Sequence, residues 1–160
     1  MKKSTRISLK PDWNKIEDVR NTGQKFLSVH GFGEDDKNAI IMILSELVEN
    51  SIKYGIFKSS NSEITVNINI NQNMITIEVN NPIDKIIENH IKRLDKTIQW
   101  IRGYQDSFEA YVENLKIVSR KPLEDEESGI GLTRIAYEGG AILDFFVDDN
   151  ILNVSAISRV

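Results

Sequence analysis

With 160 residues, 40% hydrophobic and 28% charged, the chain has the size and composition of one ordinary domain with a proper core, expected to span residues 1–160. A net charge of −4 argues against a nucleic-acid groove, which carries a basic stripe, and the lack of cysteine removes disulfides and thiolate metal sites. The longest purely apolar run, Ala39 to Leu44, is far too short for a bilayer, and no apolar region follows Lys2, Lys3 and Arg6 as in a signal peptide, so a cytoplasmic location away from membrane is expected.

Along the chain, Ile7 and Leu9 alternate with Arg6, Ser8 and Lys10, which predicts a short edge strand ended by Pro11-Asp12. A first helix is expected from about Trp13 to Val29, with Trp13, Ile16, Val19 and Phe26 inward and Gly23 a weak point in its middle. After the turn His30-Gly31-Phe32-Gly33, a second helix opens with Glu34, Asp35 and Asp36, whose charges suit the positive end of a helix dipole. Gly55 stops it. Ile64, Val66, Ile68 and Ile70 alternate with polar residues, as do Ile75, Ile77 and Val79 beyond the turn Asn71-Gln72-Asn73. That pattern predicts a hairpin with one buried face, and Asn80-Asn81-Pro82 is expected to break its second strand.

Two amphipathic helices follow in the pattern. One carries Ile83, Ile87, Ile91, Leu94, Ile98 and Ile101, the other Tyr104, Phe108, Tyr111, Leu115 and Val118, with Gly103 between them. A polar loop over 120–128 leads to Gly129-Ile130-Gly131-Leu132, a glycine turn that opens a helix reaching about Glu138. A hairpin with strands near 141–147 and 151–158 completes the chain. This order predicts an α/β (α+β) two-layer sandwich, a mixed sheet with helices on one face and a helical pair inserted over residues 83–128.

The most informative stretch is Glu46-Leu47-Val48-Glu49-Asn50-Ser51-Ile52-Lys53-Tyr54-Gly55. Ile40, Ile41, Leu44, Leu47, Val48 and Ile52 share one helix side, while Glu46, Asn50 and Lys53 form a stripe on the other, extended one turn back by Ala39, Met42 and Ile43. A solvated helix face has this pattern. So does a platform for a hard cation and a phosphate, with a neutral asparagine oxygen, a glutamate as base or water anchor, and a lysine point charge. The glycine turn adds free backbone N–H groups at a helix start, where phosphate can approach closely. With the strand end at Asn80-Asn81, three places are candidates to meet at one nucleotide.

On these two motifs the chain resembles the GHKL (Bergerat-fold) ATPases, which include histidine-kinase catalytic domains, gyrase-type ATPases and the small serine kinases that act as anti-sigma factors. Glu46-Leu47-x-x-Asn50-Ser51-x-Lys53-Tyr54-Gly55 is similar to the family's N-box, and Ser128-Gly129-Ile130-Gly131-Leu132 to its second glycine box. The first glycine box, D-x-G-x-G, has no counterpart: the corresponding strand end is Val79-Asn80-Asn81-Pro82-Ile83-Asp84. An asparagine there can accept a hydrogen bond from an adenine amino group, as in some LytS-like sensor kinases, and Asp84 is a displaced alternative. The two inserted helices resemble those of SiaB-type bacterial protein kinases, which phosphorylate a small partner protein.

The resemblance implies ATP and Mg²⁺ as cofactors. It implies Asn50 as the metal ligand, Glu46 as the group that orients or deprotonates the attacking hydroxyl, and Gly129, Gly131 and Leu132 at the phosphates. Lys53 would add charge nearby, and Asn80 or Asn81 would hold adenine. The implied function is a regulatory kinase that transfers the γ-phosphate to Ser or Thr of a small protein, such as an anti-anti-sigma-like antagonist; a homodimer is a further option. The alternative keeps the fold without catalysis, as a nucleotide-sensing or protein-binding module. His30 and His90 lie outside any His-carboxylate cluster and are read as ordinary surface or packed histidines. Glu124-Asp125-Glu126-Glu127 is read as a solvated loop. The first inserted helix is expected to close over the cleft, and the second to present Tyr104, Phe108 and Tyr111 to another chain.

Overall fold

The computed structural model describes residues 2–84, 88–104, 106–119 and 131–160. β1 (Lys2–Leu9) leads through a 3-10 turn at Trp13–Lys15 into α1 (Ile16–Val29) and then α2 (Glu34–Tyr54). The hairpin β2 (Ile64–Asn71) and β3 (Met74–Pro82) follows, then α3 (Glu88–Arg102), α4 (Ser107–Ser119) and α5 (Gly131–Tyr137). The hairpin β4 (Ala141–Asp148) and β5 (Ile151–Arg159) ends the chain. The strands form one sheet in the order β1-β2-β3-β5-β4, so the two-layer sandwich expected from the sequence is present. The pairing is antiparallel in every ladder rather than mixed, because β4 takes the edge and β5 turns back between it and β3. That turn is tight: Asp149 and Asn150 both have positive φ, 48° and 63°, a conformation that short polar side chains tolerate.

Alternation sets the faces of the sheet. Ile64, Val66, Ile68 and Ile70 of β2, Ile75, Ile77 and Val79 of β3, and Leu152, Val154 and Ala156 of β5 are buried. Each such Ile, Leu or Val side chain contributes about 1.5–3 kcal/mol, and together they give α1 and α2 a surface to pack on. α1 buries Val19, Gly23 and Leu27, one turn apart in succession, while Ile16 and Phe26 are half-buried. Trp13, expected inward, is 56% exposed because it precedes the helix, in a turn capped by Asp12, whose Oδ1 accepts the Asn14 N–H at 2.9 Å. Gly23 is a contact rather than a weakness: a Cβ there would lie 2.9 Å from Leu44 Cδ2.

In α2, Ile40, Ile41, Leu44, Leu47 and Val48 are buried as expected. Ile43, expected on the outer stripe, is also buried, since the corner after α5 packs on it; a Cβ on Gly139 would lie 2.6 Å from Ile43 Cδ1. β3 is not broken at Asn80-Asn81-Pro82, whose ladder with Asn153, Leu152 and Ile151 continues to the proline. The ladder to β2 ends at Asn80, so the missing N–H of Pro82 interrupts no pairing there.

Leu94, Ile98 and Ile101 are the buried face of α3. Ile83 is buried ahead of that helix, and Ile87 lies outside the described residues. Tyr104 precedes α4, in which Ala110 is buried while Phe108 and Leu115 are exposed. The side chain of Val118 and the run Glu124–Glu127 lie outside the described residues. Asn114 Nδ2 donates to Thr133 Oγ1 at 3.0 Å and ties α4 to α5. Among the described residues no helix is long and apolar enough to cross a membrane.

Candidate functional site

The end of α2 is held against the end of β3. Gly55 N–H donates to Ser51 O and closes the helix, and the next amide, Ile56 N–H, donates to Pro82 O at 2.9 Å. With the start of α5 and one side of α3, these ends enclose a cleft of ≈ 260 Å³. Its lining includes Glu46, Asn50 and Lys53 of α2, Asn81 of β3, Gly131 and Leu132 of α5, and His90, Arg93, Leu94 and Thr97 of α3.

The two motifs meet here. A Cβ placed on Gly131 would lie 2.6 Å from Glu46 Oε2 and 4.0 Å from Asn50 Nδ2, so a side chain here would displace the Glu46 carboxylate, and glycine leaves it in place beside this helix start. Arg134, one turn further along α5, sends Nη1 to Glu46 Oε1 at 3.3 Å and Nε to Glu138 Oε2 at 2.8 Å. The Glu46 carboxyl is raised above its ordinary value chiefly by burial, with Glu49 adding to the rise and Arg134 opposing it. The Arg134 guanidinium is raised too, first through its hydrogen bond to Glu138.

Asn80 and Asn81 separate, because successive strand residues point to opposite faces. Asn81 is buried on the cleft side, its Nδ2 donating to Pro82 O at 3.1 Å. Asn80 lies on the far face, where its Oδ1 accepts from Asn153 Nδ2 at 2.8 Å. Asp84 is ion-paired with Lys58 at 2.9 Å and is not among the cleft residues. Lys53 is exposed at the rim, with Nζ 5.2 Å from the centre of the Tyr54 ring. Gly129 lies outside the described residues.

Sequence reasoning missed Trp13, Tyr54, His90, Arg93 and Arg134. The first four line the cleft, and Tyr54 and His90 stack with ring centres 4.0 Å apart. Tyr54 sits one position beyond the polar stripe and so carried a signal; His90 had none, since only the packing of α3 brings it in. Among the described residues no group of three or more His, Asp or Glu gathers to hold a metal. Asn50 supplies one neutral oxygen donor, so a Mg²⁺ ion at this position would take its other ligands from phosphate and water, the usual arrangement for that ion. The donor set, the Cβ-free approach at Gly131 and the carboxamide of Asn81 fit a metal-nucleotide.

By sequence the chain matches no family model and no curated protein. By structure it is similar to a chain in the crystal structure of the SiaB-SiaC complex from Pseudomonas aeruginosa, with a TM-score of 0.72. The match covers 96% of this chain and 88% of that one at 17% sequence identity. The likeness is one of fold.

Proposed function

We propose that this chain is an ATP-dependent regulatory protein kinase of the anti-sigma or SiaB type. The observation that carries the reading is the meeting of Gly131 with Glu46 and Asn50, two motifs far apart in sequence that converge at one cleft. The fold shared with a chain of the SiaB-SiaC complex, itself an assembly of two proteins, supports a small protein as partner.

Phosphoryl transfer needs positioning and charge neutralisation more than covalent chemistry. Asn50 would hold Mg²⁺, and Asn81 the adenine. The turn at Gly131, with Leu132 behind it, would admit the phosphates, and Lys53 and Arg93 would supply positive charge. Glu46 would accept the proton of the partner's Ser or Thr hydroxyl as its oxygen bonds to the γ-phosphorus and the bond to the β-γ bridging oxygen breaks, releasing ADP. Arg134 keeps Glu46 turned toward Gly131 and favours its ionised form, which a base requires.

Label transfer from γ-labelled Mg-ATP to a co-purified small protein tests this. Wild type is expected to transfer. Glu46→Gln is expected to bind ATP normally and transfer ~10²–10⁴-fold more slowly, the usual effect of losing a general base. Equal rates would remove Glu46 from the mechanism.

A second reading has its own support. The strand end at Asn80-Asn81-Pro82 lacks the aspartate and glycines of the family pattern, and Glu46 is engaged by Arg134. A module that binds nucleotide and a partner without transfer would show Mg-ATP binding and no labelled product.

A further inference from the structure

Leu9 pairs with Ile64, Thr65 with Asn80, and Asn81 with Leu152, so these rungs share one end of the sheet. The 3-10 turn just beyond Leu9 therefore delivers Trp13 to the end where Asn81 meets the cleft, and Trp13 lines that cleft. Its indole is 56% exposed, where tryptophan is ordinarily well covered. The turn that carries it is fixed: Asn14 N–H donates to Asp12 Oδ1 at 2.9 Å and Lys15 N–H to Asp12 O at 2.9 Å. Tyr54 is stacked on His90, and Trp100 meets Tyr104 edge-on. Among the described residues the Trp13 indole meets no other ring, and its main-chain oxygen accepts from Ile16 N–H to close the turn.

The geometry points to Trp13 as the residue that stacks on the base of the bound nucleotide, beside the carboxamide of Asn81. This rests on the nucleotide reading above. A flat, half-exposed indole offers a π-face to any base, whereas Asn81 offers selection. Its Nδ2 is committed to Pro82 O, which leaves Oδ1, an acceptor, for an exocyclic amino group such as that of adenine. The pair would do without the aspartate and glycines absent from the strand end, by holding the base from the side of β1.

Binding to the full chain tests this with Mg-ATP and with magnesium tripolyphosphate, which has no base. Trp13→Leu is expected to weaken Mg-ATP about ten- to a hundredfold, the effect of losing one base-aromatic stack, and to leave tripolyphosphate unchanged. Trp13→Tyr keeps a ring and is expected to restore most of the affinity. In a Trp100→Phe background Trp13 is the one remaining tryptophan, and its emission is expected to change saturably with Mg-ATP and not with tripolyphosphate. A wild type that binds Mg-ATP while Trp13→Leu binds it equally well overturns the stacking role and leaves the nucleotide reading standing. Equal weakening of tripolyphosphate also overturns it. A wild type that binds no nucleotide overturns both.

Discussion

Arg134 and Glu46, 88 residues apart in sequence, form an ion pair at 3.3 Å that joins α5 to the polar stripe of α2. The other oxygen of Glu46 faces Gly131, so the arginine holds one side of the carboxylate while the second is presented at the cleft. Burial and Glu49 outweigh this help, and the carboxyl stays raised above its ordinary 4.5.

The pH dependence of stability follows in sign. Well below pH 4.5 Glu46 is neutral both folded and unfolded. As pH rises through the raised folded value, the folded state must ionise a partly buried group, and the stability associated with the neutral form is lost. Glu46→Gln is therefore expected to melt higher than wild type at pH 7, with the difference shrinking to nothing in acid. Thermal melts across pH check this; a variant less stable than wild type at pH 7 would contradict it.

Gly131→Ala separates folding from binding. A methyl group at Gly131 would meet the far end of the flexible Glu46 side chain rather than backbone, so the fold is expected to tolerate alanine there. The methyl group would instead push on Glu46 Oε2 and narrow the approach to Asn50. The expected result is a nearly unchanged melting temperature with at least about tenfold weaker Mg-ATP binding, equivalent to about 1.4 kcal/mol. Calorimetry and a melt on the same sample decide it.

Gly23→Val has the opposite profile. Its Cβ would start 2.9 Å from Leu44 Cδ2 and 3.0 Å from Ile41 Cδ1, in a core with little slack. Overpacking of this kind costs about 1–3 kcal/mol. Denaturant unfolding should show that loss, while nucleotide affinity in the folded protein stays the same.

What could be read from the sequence was what local periodicity encodes. The β2-β3 hairpin and the buried side of α2 repeat cleanly, and the stripe of Glu46, Asn50 and Lys53 lines the cleft. The errors arise where a distant segment decides. Ile43 looks solvated in a helical projection and is buried because Gly139 lies on it. Pro82 reads as a strand breaker and is tolerated because the β2 ladder has already ended. Trp13 falls on the inward phase of α1 and lies outside that helix, in a turn set by Asp12. Asn81 continues the buried phase of Ile75, Ile77 and Val79, and the expected strand break at Asn80 is what hid its separation from Asn80. Neither the arginine pair nor His90 left a mark in the pattern, since both depend on where α3 and α5 dock.

Of the two inserted helices, α3 lines the cleft with His90, Arg93, Leu94 and Thr97. Phe108 is exposed and lies against Tyr137, with ring centres 5.1 Å apart, and Tyr111 stacks on Tyr137 at 5.2 Å. Phe108→Ser should therefore leave the chain folded, at a cost below the about 3–5 kcal/mol of a core phenylalanine truncation. A loss of partner capture by the folded variant would make this face an interface, and unfolding would make Phe108 core.

The most direct test is calorimetric titration of wild type and Asn50→Ala with ATP, with and without Mg²⁺. The account predicts saturable binding by wild type only when the metal is present, in the micromolar to millimolar range, or about −4 to −8 kcal/mol. Asn50→Ala should lose that metal dependence together with most of the affinity. Saturating Mg-ATP that gives wild type neither heat nor a rise in melting temperature would contradict the account, because a ligand that binds the folded state must stabilise it.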